Sequence, residues 1–299
     1  MIRIGTRKSP LALAQAGDIW LGLKEAWPEL VLELVPIVTS GDKFQDQSLT
    51  DIGGKGLFTK EIEEALLDGR IDIDVHSMKD MPTALPDGLI IGCMTEREDP
   101  RDMLVGHGIK TFDDLPKGAV FGTSSLRRAA QVKMRRSDIQ VVPMRGNVQT
   151  RLDKLAQGAV QATMLAKAGL NRLELNNVPG ILLAADDFLP AVGQGAIGIE
   201  CRASDTKILE LLAPLADIDT ETAVRCERAF LGMLDGSCKT PIAGYAALDG
   251  KVLRLRGLIA KPDGSAYHTV DVTGEAINAE TLGLEAGKEL LKKAGKGFL

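Results

Sequence analysis

The chain has 299 residues, of which 44% are hydrophobic and 26% charged, so it is long enough for the cores of two or three globular domains. It lacks an apolar run of membrane-spanning length and the apolar stretch of a secretory signal, so the sequence predicts a cytoplasmic protein without a membrane span. Its four cysteines have no CxxC spacing, which argues against a disulfide framework and a zinc site; they are Cys93, Cys201, Cys226 and Cys238.

The first two thirds of the chain alternate between predicted strands and helices. A strand over residues 1–6 leads to a helix that Ser9 caps and Pro10 starts. The predicted elements that follow are a strand at 31–39, a helix at 57–69, strands at 71–78 and 89–94, and a second series of strands at 103–105, 119–122, 140–143, 162–165 and 181–184. This pattern predicts two doubly wound α/β domains with mainly parallel sheets.

The last third of the chain has a different pattern. After a strand at 196–202 and a helix at 220–234 come three strand-like runs joined by hairpin turns, at 241–248, 251–260 and 266–274, and then a helix at 279–294. We therefore expect a smaller α+β domain with an antiparallel sheet at the C-terminal end of the chain.

Polar residues follow two predicted strands of the first domain. Arg7, in "GTRKSP", and the run "DVHSMKDMP", with Ser77, Lys79 and Asp80, each come where a strand ends. Ligands of open α/β sheets bind at that edge. Lys55, in "GGKG", does not have the spacing of a phosphate-binding loop, so its segment is either a mobile cover over a site or a plain connector.

The second domain carries a basic segment in an acidic protein. Residues 123–172 hold ten basic and two acidic residues, a local charge of +8 in a chain whose net charge is −5. Strand ends there present the residues Thr123, Ser124, Ser125, Arg127, Arg128, Arg145 and Arg151. Converging guanidiniums without acidic partners would repel one another, so we expect a ligand with several carboxylates or phosphates. Lys133, Arg135, Arg136 and Lys154 instead fit solvated helix faces.

Ten segments in order, from "GTRKSPLALAQA" to "GSCKTPIAGYA", resemble the porphobilinogen deaminase (hydroxymethylbilane synthase) family. The resemblance implies a dipyrromethane cofactor held by a thioether to Cys238, and Asp80 as the catalytic residue. The remaining cofactor-binding positions that it implies are Ser77, Lys79, Thr123, Ser124, Ser125, Arg127, Arg128, Arg145 and Gly146. The implied substrate-binding positions are Arg7, Lys55, Arg151, Arg172 and Gln194.

The family reaction that this resemblance implies condenses four porphobilinogen molecules with loss of ammonia, and water then releases the linear tetrapyrrole. Every pyrrole adds an acetate and a propionate, which accounts for the arginines. The expected partners are porphobilinogen and linear oligopyrrole intermediates, bound by a monomer without a metal. The expected domains are 1–97 with 195–214, 98–194, and 215–299.

Two other classes of protein share parts of this sequence pattern. A bilobal small-anion binding protein would share the paired α/β pattern, but such proteins are usually exported and need no loop cysteine. A nucleic-acid binder fits less well, because Phe121 is the one aromatic residue in or beside the basic segment. We expect Cys93 and Cys201 to be core residues and His76 to be structural or a neighbour of the site.

Overall fold

The computed structural model describes residues 1–40, 59–236, 240–295 and 297–298. Its helices are α1 (Pro10–Ala26), α2 (Lys60–Leu67), α3 (Leu126–Arg135), α4 (Val148–Ala156), α5 (Lys167–Arg172), α6 (Thr206–Leu212), α7 (Ile218–Met233) and α8 (Ala279–Ala294). Its strands are β1 (Ile2–Arg7), β2 (Leu32–Ile37), β3 (Ile73–Ser77), β4 (Leu89–Met94), β5 (Asp102–Gly106), β6 (Val120–Gly122), β7 (Gln140–Val142), β8 (Ala162–Ala166), β9 (Gly180–Leu182), β10 (Ile197–Arg202), β11 (Ile242–Asp249), β12 (Val252–Ala260) and β13 (Tyr267–Glu275).

The chain divides into two compact units. Unit 1 is Met1–Glu98 with Ala196–Glu221, and unit 2 is Asp99–Gly195 with Thr222–Leu299. The predicted division into three domains is finer than this one, and its boundaries stay a prediction.

Unit 1 is built on a five-stranded sheet in the order β2-β1-β3-β10-β4. β1 is parallel to β2 and β3, whereas β10 runs antiparallel to both of its neighbours, β3 and β4. Ile19 and Leu23 of α1 pack with Ile4 and Ile73 in one core cluster. α1 begins as predicted, because the Ser9 Oγ accepts from the Ala12 N–H and Pro10 occupies the first turn.

Unit 2 repeats this arrangement in the order β7-β6-β8-β5-β9. β6 is parallel to β7 and β8, and β5 is the antiparallel strand, between β8 and β9. Its core contains Leu104, Phe121, Ile139 and Phe188, all fully or almost fully buried. Three adjacent parallel strands, β7, β6 and β8, therefore end at the same edge of this sheet.

The C-terminal part of unit 2 is a three-stranded antiparallel sheet, β11-β12-β13. Phe230 of α7 is fully buried against it, and Gly257 leaves the space that the Phe230 ring fills. Ala243 and Leu258 of this sheet share a buried cluster with Ala130 of α3. This packing fixes one side of the helix that carries Arg127.

The predicted fold class is confirmed: two doubly wound mixed α/β sheets and a C-terminal antiparallel sheet with helices. Cys93, Cys201 and Cys226 are free and buried, and burial raises the pKa of each thiol. Cys93 and Cys201 are therefore core residues as expected, and the core also includes Cys226. Within the described ranges, no helix is both long and apolar enough to cross a membrane.

Candidate active site

In unit 1, two parallel strands bring polar residues to one edge of the sheet. β1 ends at Arg7 and β3 ends at Ser77, and both side chains are half-buried. Gln15 of α1 donates from Nε2 to the Ser77 Oγ at 2.7 Å, which fixes the serine on the side of the sheet that α1 covers. The sequence interpretation did not include Gln15.

A single 3₁₀ turn, Met78–Asp80, follows Ser77 directly. Met78 is buried and its N–H donates to the Ala196 carbonyl at 3.0 Å, whereas Lys79 is half-buried and Asp80 is exposed. The turn therefore holds its backbone against the sheet and presents the Asp80 carboxylate to solvent at the end of β3. This arrangement suits a group that must meet a mobile ligand.

In unit 2, the N-terminus of α3 forms an anion-binding arrangement. The Thr123 Oγ1 accepts from the Ser125 N–H at 3.1 Å, and the Ser125 Oγ accepts from the Arg128 N–H at 3.4 Å as the N-cap. The Ser124 Oγ is buried without a hydrogen-bond partner among the described residues. Free N–H groups and the positive end of the helix dipole favour an anion at such a terminus.

Arg127 and Arg128 both contact a buried carboxylate, that of Asp102 on β5. Arg127 Nη2 lies 2.8 Å from Oδ2 and Arg128 Nη2 lies 2.6 Å from Oδ1. The expectation that the arginines converge without an acidic partner is therefore wrong for these two. It failed because Asp102 is 25 residues away in the sequence and reaches them only through the pairing of β5 with β8.

The Asp102 cluster still carries excess positive charge. Asp102 is fully buried, and Arg127 and Arg128 are 4% and 6% exposed. Burial alone would raise the pKa of Asp102, but the two guanidiniums hold it well below its ordinary value. Two guanidiniums against one carboxylate leave one positive charge, and the Nε atoms of both arginines have no hydrogen-bond partner among the described residues. An anion beside this cluster would lower its free energy.

Gln194 belongs to the same cluster. Its Nε2 donates to the Asp102 Oδ1 at 2.9 Å and to the Pro100 carbonyl at 2.7 Å, and the residue is 1% exposed. Gln194 therefore contacts the same Asp102 carboxylate that orients Arg128. Its predicted contact with substrate stays a prediction.

The other predicted basic residues follow the ends of β7 and β8. Arg151 Nε donates to the Gly146 carbonyl at 2.9 Å, and Arg172 Nη2 donates to the Gly195 carbonyl at 3.0 Å. Gly146 has φ +114°, and a Cβ there would lie 2.6 Å from the Thr150 side chain, so this corner requires glycine. Arg145 is half-buried beside it.

Unit 2 thus gathers its predicted residues at the shared edge of three neighbouring strands. Thr123 and Arg145 each come within three residues of a strand end, and Arg172 ends the helix α5 that directly follows β8. Cys238 and Lys55 lie outside the described residues. Among the described side chains, no group of His, Cys, Asp and Glu has an arrangement that could hold a metal ion.

Two models of protein families match this chain over most of its length. Residues 2–210 match the porphobilinogen deaminase dipyrromethane cofactor binding domain, and residues 221–292 match the porphobilinogen deaminase C-terminal domain. The chain belongs to the porphobilinogen deaminase family. Porphobilinogen deaminases use a dipyrromethane cofactor, and the match to the cofactor-binding domain covers every described residue of the two clusters.

The residues of unit 2 fit that cofactor. A dipyrromethane made from two porphobilinogen units carries acetate and propionate carboxylates, which need hydrogen-bond donors and positive charge. The buried Ser124 hydroxyl, the N-terminus of α3 and the positively charged Asp102 cluster supply them.

Several solved structures are similar to this chain at low sequence identity. The Escherichia coli periplasmic aliphatic sulphonate binding protein is 18% identical, with 77% of this chain and 69% of that chain covered and a TM-score of 0.42. A probable amino-acid ABC transporter extracellular-binding protein from Bacillus subtilis is 11% identical, with 76% and 94% covered and a TM-score of 0.44. A Salmonella typhimurium periplasmic binding protein with high arginine specificity is 16% identical, with 72% and 91% covered and a TM-score of 0.40.

Proposed function

We propose that this porphobilinogen deaminase is a hydroxymethylbilane synthase: a transferase that condenses four porphobilinogen molecules head to tail and releases the linear tetrapyrrole by hydrolysis. The observation that carries the proposal is the carboxylate-binding arrangement at the start of α3, within the domain that matches the family's cofactor-binding domain. When bound, the dipyrromethane would supply the pyrrole carbon to which the first porphobilinogen unit is added with loss of ammonia, and each later unit would be added to the pyrrole added before it.

Cys238 is the proposed anchor of the cofactor, through a thioether. It lies between the last residue of α7, Met233, and the first residue of β11, Ile242. The other three cysteines are buried in cores, where burial raises their thiol pKa and keeps them in the unreactive thiol form. A thiolate is the nucleophile suited to bond an electrophilic pyrrole methylene carbon. Cys238 is the one cysteine that this argument does not exclude.

Asp80 is the proposed catalytic residue. Its carboxylate is exposed at the end of β3, on a turn whose backbone is fixed by the buried Met78. A carboxylate in that place accepts hydrogen bonds from pyrrole N–H groups and stabilises the positive charge that develops as ammonia leaves. It also accepts the proton that the attacked pyrrole carbon loses.

The remaining positions are proposed to bind carboxylates. Arg127, Arg128, Arg145 and the hydroxyls of Ser77, Thr123, Ser124 and Ser125 hold the cofactor, with Lys79 and the Gly146 backbone. The proposed substrate-binding set is Arg7, Lys55, Arg151, Arg172 and Gln194. Each added pyrrole brings two further carboxylates, so the number of cationic groups matches a product whose negative charge grows at every step.

Substitution of Asp80 tests the catalytic assignment. Because Asp80 is exposed, Asp80→Ala is expected to keep the melting temperature while porphobilinogen consumption is lost, and Asp80→Glu is expected to keep a little activity. The exposed Asp271, which pairs with Arg254 on the C-terminal sheet, provides the matched control, and Asp271→Asn should consume porphobilinogen at the wild-type rate. Near-normal turnover in Asp80→Ala would contradict the assignment.

We also propose that the enzyme acts as a monomer in the cytoplasm. The resemblance of the sequence to its family supports both the monomeric state and the cytoplasmic location. Sedimentation of the purified holoenzyme over a range of concentrations tests it, and a mass of 31.9 kDa plus the cofactor is expected throughout.

A further inference from the structure

A cluster of buried ionisable groups lies on β3, immediately before the proposed catalytic turn. Asp74 and His76 are two residues apart on β3, so their side chains lie on the same face of the sheet. Glu200 lies directly opposite Asp74 on β10. His76 Nε2 is 2.9 Å from the Asp74 Oδ2 and 2.8 Å from the Glu200 Oε2, and both carboxylates are fully buried.

A cation between the two buried carboxylates stabilises this cluster, and His76 Nε2 lies in that position. Like charges directly opposite each other across two strands are destabilising, and burial increases the cost. Glu63 of α2 is a third carboxylate, 8% exposed, that interacts with the same groups. Burial raises the pKa of Asp74 and of Glu63. Burial would lower the pKa of His76, but Asp74 and Glu200 raise it to about 10, so the imidazole is positively charged at neutral pH.

The same pair of strands holds the proposed catalytic turn. Ser77, the next residue after His76, pairs with Ile197, and the Met78 N–H donates to the Ala196 carbonyl. The Met78 side chain fills the space above Gly198, where a Cβ would collide with its Sδ. Any shift of β3 against β10 therefore moves the turn that carries Asp80.

We propose that His76 is a positioning residue for the reaction. Its imidazolium joins Asp74 of β3 to Glu200 of β10 and thereby fixes the position of the Ser77–Asp80 turn. The His76 side chain is buried and lies on the opposite face of β3 from Ser77. The proposal rests on the proposed catalytic role of Asp80.

The test compares His76→Gln with His107→Gln, which changes an exposed histidine of unit 2. In the holoenzyme, His76→Gln is expected to lower kcat about tenfold or more, because a small displacement of a catalytic group is costly, and to change KM for porphobilinogen less than about twofold. Asp74→Asn added to His76→Gln should restore part of kcat, since it removes one of the carboxylates that lost their counter-charge. His107→Gln should leave both constants unchanged.

A proton titration gives an independent readout. The chain has three histidines, so the NMR signals of the His76 ring can be assigned by comparison with His76→Gln. Its pKa is raised, so the proton should be present at neutral pH and be lost as the pH rises towards about 10. If His76→Gln does not fold, Glu200→Gln replaces it, and we expect a lower His76 pKa and a lower kcat.

Three outcomes would overturn the proposal: wild-type kcat in His76→Gln or in Glu200→Gln, no recovery of kcat on adding Asp74→Asn, or a His76 ring that titrates at its ordinary value of 6.5. If Asp80→Ala is inactive and His76→Gln keeps the wild-type kcat, the positioning role of His76 is rejected and the proposed function is not. Normal turnover in Asp80→Ala would instead reject the proposed function.

Discussion

At the scale of single residues, Asp102 organises the cationic part of the site. Its buried carboxylate contacts the side chains of Arg127 and Arg128 from α3 and of Gln194 from the segment before β10. One group therefore positions three side chains. A buried carboxylate in this setting orients the guanidiniums and halves their positive charge. We propose that the carboxylates of the cofactor neutralise the remaining positive charge.

Asp102→Asn is expected to lower the free energy of unfolding by about 3–5 kcal/mol, the usual cost of removing one partner from a buried ion pair. Because the pKa of Asp102 is held below its ordinary value of 3.8, its carboxylate stabilises the fold above that pH, and the stability is lost as the pH falls below it. Urea unfolding at neutral pH and near pH 3 checks both statements. Equal stability of Asp102→Asn and wild type at neutral pH would contradict them.

Residue roles with a local cause could be predicted from the sequence. Ser9 and Pro10 start α1 as predicted, because a cap depends on residues three positions apart. The Asp102 pairing could not be predicted, since it depends on which strands become neighbours. The available signal of a buried ion pair was Asp102 itself, a charged residue at the start of an otherwise apolar strand.

At the scale of elements, the antiparallel strand β10 positions the end of β3. Gly198 on β10 has no side chain, and Met78 of the turn that carries Asp80 occupies the resulting space. Strand positions were predictable from apolar runs, and twelve of the thirteen strands in the described ranges begin within one residue of the predicted start. The reversed direction of β5 and β10 was not predictable, because strand direction depends on the path of the chain between units.

Gly198→Ala is expected to push Met78 and the Lys79–Asp80 turn away from the sheet. The overpacked side chain should cost about 1–3 kcal/mol of stability and lower kcat. Gly17→Ala is the matched control, because a Cβ at Gly17 meets nothing within 4 Å and alanine favours the helix by about 0.5–1 kcal/mol. Thermal unfolding and porphobilinogen consumption of both variants check the prediction, and unchanged values for Gly198→Ala would refute it.

At the scale of the whole molecule, two units of like topology carry different chemistry at their strand ends. Unit 1 carries the exposed Asp80 with Arg7 and Lys79, and unit 2 carries the hydroxyls and arginines around α3. The sequence predicted that these residues follow strand ends, because parallel strands place their ends at one edge of a sheet, but it did not predict the contacts of Gln15 and Asp102. It could not predict that part of the positive charge in unit 2 is neutralised internally.

The central claim, a dipyrromethane enzyme anchored at Cys238, is tested most directly by the intact mass of the denatured protein after incubation with porphobilinogen. The account predicts an added mass equal to two linked pyrrole units on the wild-type chain, and the bare polypeptide mass for Cys238→Ala treated in the same way. A bare wild-type chain after incubation, or the same added mass on Cys238→Ala, would contradict the account.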